Sequence, residues 1–136
     1  MRLEPLITFD AEMRTTDIGP TPTGHRMNME LKGKTRADSR VEGAISGIDF
    51  LRLRSDGAAE LDVYVTLETS AKEFVAVRAS GLATLNGDGL ASGFLGVRFE
   101  AGEGELAWLN QAVGVASTTA DMSKGSLSVE GFVLRP

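Results

Sequence analysis

Asp62, Tyr64, Thr66 and Glu68 fall on every second position of one run and alternate with Leu61, Val63, Val65 and Leu67. A carboxyl and a phenol on one face can give and take a proton once burial lifts the carboxyl pKa toward neutrality. Asp62 and Glu68 share that face but stand about 20 Å apart at ~3.3 Å per residue, too far for a carboxylate dyad. Asp62 and Tyr64 are within about 7 Å along an extended chain, so they are the candidate catalytic pair. Around them an apolar pocket would draw on Phe50, Phe94, Phe99 and Trp108, with Arg26, Glu68 and Asn110 as its polar contacts. Each has a plainer role beside the functional one. A polar strand face is more often solvated, a lone Trp is more often core, and Arg26 suits a strand end. Periodicity leaves open which face of the run points inward.

Other chemistries lack their residues. The chain has no cysteine, which removes disulfides, thiolate ligands and thiol nucleophiles. His25 is the only histidine, so no His-rich metal site forms, and no EF-hand spacing is present. GDGLASG (87–93) imitates a glycine-rich nucleotide loop without the strand-to-helix setting that aims such a loop at phosphate. No metal site and no cofactor are expected.

The elements that must position these residues read as strands. Leu3, Ile7, Phe9, Ala11 and Met13 share one phase, with Leu6 out of step. TDIGPTPTG (16–24) holds two prolines and two glycines and is expected to be an irregular loop. Met27, Met29 and Leu31 make a second strand. Val41, Gly43, Ile45 and Gly47 continue one phase in a third, where the glycines suggest a bend or bulge. Ser55-Asp56-Gly57 is a tight turn, and 60–68 is the cleanest strand. Strands at 74–79, 93–100 and 127–134 follow. ELAWLNQAVGVA (105–116) could begin as a short helix, but its valine-rich end and Gly114 favour strand. The expectation is one all-β domain, 1–136. Its architecture would be a single antiparallel β-barrel of about eight or nine strands, with a two-sheet sandwich as the alternative.

The 136 residues suit one domain, and 14 basic against 19 acidic residues give a net charge of −5. An acidic chain without a basic block is a poor match for nucleic acid or an anionic membrane. No run of about 18 apolar residues exists, and the opening MRLEPLITFD does not read as a signal peptide. A cytoplasmic location is expected.

Four stretches occur in one order: LEPL near the start, IGPTPTGHR (18–26), the DG turn with ELDVYVTLET (60–69), and RFEAGEGELAWLN (98–110). In this the chain resembles the bacterial family of domain of unknown function 3237 along nearly its whole length. The resemblance implies a β-barrel and no settled activity. By analogy of fold, lipocalin-like carriers and allene-oxide-cyclase-like enzymes frame the two functional classes. The expected function is a small-molecule-binding barrel, as a cofactor-free isomerase, cyclase or hydratase taking a small apolar or carboxylate-bearing molecule. The alternative is a non-catalytic oligomeric ligand-binding or structural module. Were the polar face of 60–68 turned inward, its valine stripe would need cover, and a homo-oligomer, most simply a dimer, would follow.

Overall fold

A computed structural model describes residues 1–136 as eight strands and one short 3-10 helix. The strands are β1 (Arg2–Thr21), β2 (Gly24–Thr35), β3 (Gly43–Leu53), β4 (Ala58–Thr69), β5 (Phe74–Leu85), β6 (Leu90–Ala101), β7 (Val113–Asp121) and β8 (Ser126–Arg135). Each pairs antiparallel with the next, and β8 returns to β1, so the sheet closes into a barrel with up-and-down order. Closure leaves β3 to β8 without a free edge. No helix is long and apolar enough to cross a membrane.

Alternation decides the two surfaces. Leu61, Val65 and Leu67 are buried in the barrel core with Ile45, Val75 and Val97, whereas Tyr64 and Thr66 face outward. Inward burial of apolar side chains lowers the free energy by about 25 cal/mol per Å², and a one-residue slip would reverse the whole face. The valine stripe therefore lies inside and calls for no second subunit to cover it.

Three expectations change in detail. TDIGPTPTG is mostly strand, because β1 runs to Thr21 and pairs back on β2 through Pro20↔His25 and Thr21↔Gly24. Prolines fit there because β1 beyond Glu12 has no registered β8 partner, and an edge strand tolerates a missing N–H. A register shift between Asp17 and Gly19, with Gly19 at φ +97°, absorbs the irregular composition. Leu6 is out of phase for a similar reason: the β1–β8 register shifts between Pro5 and Ile7, which turns Leu6 into the core and leaves Leu3 exposed. Finally, the first half of ELAWLNQAVGVA forms the 3-10 helix Ala107–Gln111, and only Val113 onward is strand.

Candidate functional site

The barrel encloses a cavity of about 150 Å³ walled almost wholly by hydrocarbon and thioether side chains. Its one charged wall residue is Asp49, on β3 in the inward phase with Ile45, Gly47 and Leu51. Asp49 is 8% exposed and is the only charged residue in the buried set. Burial pushes its carboxyl up to about 6, against the opposing pull of a hydrogen bond from the Asp62 backbone N–H. The nearby Asp62 carboxylate pushes it further in the same direction. The Asp62 N–H donates to Asp49 Oδ1 over 3.0 Å. This contact falls at a gap in the β3–β4 ladder, between the pairs Asp49↔Val63 and Arg52↔Glu60. A side chain thus replaces a ladder carbonyl, which engages one carboxyl oxygen and leaves the other free for a ligand. Such a group can accept a proton from a bound molecule and return it.

The two ends of the barrel differ. The β1–β2, β3–β4, β5–β6 and β7–β8 hairpins gather at one end, where Met27, Leu53, Leu85 and Met122 line the cavity. Leu85 lines the cavity and is also 41% exposed, so the cavity wall reaches solvent at this end. At the opposite end the 3-10 helix inserts Leu109, 1% exposed, into a cluster with Leu6, Val41, Val75 and Val133. Asn110 ties this plug to β6: its Oδ1 accepts from the Ala101 N–H at 2.7 Å, and its Nδ2 donates to the Ala101 carbonyl at 2.8 Å.

Trp108 holds the plug from outside. The guanidinium carbons of Arg40 and Arg135 lie 4.7 and 4.8 Å from its ring centroid. Both arginines donate to Glu4, Arg40 Nη1 at 2.5 Å and Arg135 Nε at 2.8 Å. The Arg135 hydrogen bond is the main reason the Glu4 carboxyl lies below its ordinary pKa. The Trp108→Ala variant is expected to lose about 2 kcal/mol, less than the roughly 3–5 kcal/mol of a fully buried aromatic, because the ring is half-buried. Trp108→Phe keeps a face for the two cations and should lose less than half of that. Equal thermal midpoints for wild type and Trp108→Ala would show that the clamp contributes nothing.

Of the residues singled out in the sequence, Phe99 lines the cavity. Asp62, Tyr64 and Glu68 stand on the outer face of β4 and do not line it. Phe50 and Tyr64 do meet, on the outside: their rings pack edge to face at 6.0 Å, with Arg78 4.9 Å from the Tyr64 centroid. Phe94 is 77% exposed on β6. Arg26 lies on β2 opposite Arg52 of β3, outside the cavity wall. Trp108 and Asn110 secure the plug. Asp49 is not among the residues that motif and spacing single out, although a signal is present. Extending the phase of Ile45 and Gly47 by two residues puts an acid where Leu51 and Leu53 continue the apolar face. No group of three or more His, Cys, Asp or Glu side chains is placed to hold a metal ion.

Residues 1–133 match the sequence profile of a family described as protein of unknown function, DUF3237. The chain belongs to the DUF3237 family. The solved structures similar to this DUF3237 chain agree on the fold. One is a β-barrel-like protein from Acinetobacter baumannii AYE, 22% identical, covering 98% of this chain and 96% of that one, with a TM-score of 0.84. Another, a protein of unknown function from Clostridium acetobutylicum ATCC 824, is 16% identical over 99% and 100% of the two chains, TM-score 0.87. A third is an enzyme from Penicillium herquei, 17% identical over 96% and 93%, TM-score 0.69. At these identities the likeness is one of fold. No curated protein is similar in sequence to this DUF3237 chain.

Proposed function

We propose that the protein binds a small apolar molecule inside the barrel and moves a proton on it with Asp49, as a cofactor-free isomerase, cyclase or hydratase. The observation that carries this is one carboxyl, raised to about 6, facing an otherwise apolar cavity. A solvated carboxylate near 4 is a weak base at neutral pH; one near 6 exchanges protons more effectively there. In the simplest reaction, ionised Asp49 takes a proton from a carbon next to a carbonyl. The carboxylic acid so formed returns that proton to another carbon of the same molecule. Nothing is oxidised or reduced, and the carboxylate is restored. The apolar wall supports this by keeping water from the intermediate. That a barrel of similar fold is an enzyme adds an analogy and no more.

Deuterium exchange tests the reading on simple compounds, whatever the natural substrate is. A panel of small cyclic and branched ketones in D₂O is followed by proton NMR with and without the protein. Wild type is expected to speed carbon–deuterium exchange in at least one compound, and Asp49→Asn to slow it by at least 100-fold, within the usual range for a general base. Asp62→Asn should leave the rate within about twofold, since its outward carboxylate goes while the N–H to Asp49 stays. Exchange that followed Asp62 rather than Asp49 would return the chemistry to the outer face.

A further inference from the structure

The cavity constrains its occupant in three independent ways. Its volume, about 150 Å³, is the size at which an apolar protein cavity stays dry and accepts a molecule such as benzene. Its wall offers no lysine, arginine or histidine, so a bound anion would meet Asp49 with no cation to offset the repulsion or the loss of water. The Asp49 oxygen not engaged by the Asp62 N–H needs a donor, and a ligand that brings one satisfies a group otherwise costly to cover. Thr118, the wall's only hydroxyl-bearing side chain, already donates to the Ser128 carbonyl at 3.3 Å.

We infer that the barrel is a site for one neutral, ring-sized molecule of the phenol or cyclic-alcohol class, its hydroxyl donating to Asp49, and that carboxylate-bearing molecules are excluded. The inference rests on the barrel interior being the working site, as in the proposed function, but it concerns binding alone. It narrows the expectation of a small apolar or carboxylate-bearing ligand to the first of the two. Entry is at the hairpin end, past Leu85, because Leu109 and the Trp108 clamp close the other.

The protein carries its own reporters. Met13, Met27, Met29 and Met122 line the cavity, whereas Met1 is 95% exposed outside it. With ¹³C-methyl methionine, phenol and cyclohexanol are expected to shift the four wall signals and leave Met1 unmoved. Benzene should do the same at least tenfold more weakly, and benzoate should shift none. In Asp49→Asn the margin of phenol over benzene should shrink several-fold, with benzene itself little changed. Benzoate binding as tightly as phenol would overturn the inference, as would no response of the wall methyls to any probe. The two readings fail separately: wall shifts without deuterium exchange in any ketone would remove the catalysis and keep the ligand class. Exchange on a carboxylate-bearing ketone with silent phenol titrations would do the reverse.

Discussion

Asp49→Asn is expected to stabilise the protein by about 3 kcal/mol at pH 8, the free-energy equivalent of lifting a carboxyl from 3.8 to about 6 on folding. The sign follows from proton uptake. Between pH 3.8 and 6 the folded chain holds this proton more tightly than the unfolded chain. The group's contribution is therefore most favourable below 3.8 and is lost as pH rises through 6. Asparagine fills the same space, keeps an oxygen for the Asp62 N–H and never ionises. The gain should be full at pH 8, partial at pH 5 and absent near pH 3.5. Urea midpoints of both proteins, compared at each pH, isolate the effect from other carboxyls. Those include Asp10, which Arg36 and Ser128 hold well below the usual range and which destabilises the fold as acid protonates it. A gain independent of pH, or a loss at pH 8, would count against a buried ionisable group. Removal of the group that carries the proposed chemistry would then make a more stable and inactive protein, the pattern expected where a site works at the expense of the fold.

Gly81→Ala is expected to cost about 3 kcal/mol or to prevent folding, at the upper end of overpacking effects. Gly81 pairs with Leu95 across β5 and β6, and a Cβ there would collide with the carbonyl oxygen of Phe94 and the backbone of Leu95. Neither can yield, since both belong to a hydrogen-bonded ladder. Gly96, one residue along the same partner strand, has open space where its Cβ would stand. Gly96→Ala should lie within about 0.5 kcal/mol of wild type, or stabilise slightly by restricting the unfolded chain. Thermal melts of the two variants compare one substitution at two neighbouring sites. Similar midpoints would mean that strand propensity, and not the close approach of β6, sets the requirement for glycine.

The all-β class and the antiparallel barrel were legible in the residues, because alternation and turn chemistry are local properties. Strand 60–68 needs no partner to show that Leu61, Val63, Val65 and Leu67 share a face, and Asp56-Gly57 marks its turn wherever the chain folds. Local pattern marked the glycines of β3 as the place of a bend or bulge, but β3 keeps a single register, without a shift, with both β2 and β4. Nor could the pattern say that Gly47 faces the backbone of Tyr64 and Val65, since that depends on the register with β4.

The inside and outside of the barrel were decided only in three dimensions. A strand with one apolar and one polar face fits a barrel with a wet interior or a dry one equally well, and the difference lies in what the other seven strands present. Here Met29, Ile45, Val75, Val97, Leu109 and Val133 fill the interior, so the polar face of β4 is the outer wall. The same closure turns Asp49 from one acid among nineteen in the sequence into the one charge in an apolar cavity. Its place in the phase of Ile45, Gly47 and Leu51 is visible along the chain, but that phase does not say which face of β3 is dry. The pKa of Asp49 is set by side chains from across the barrel and by an N–H thirteen residues away, because the desolvation that raises it exists only once the sheet has closed.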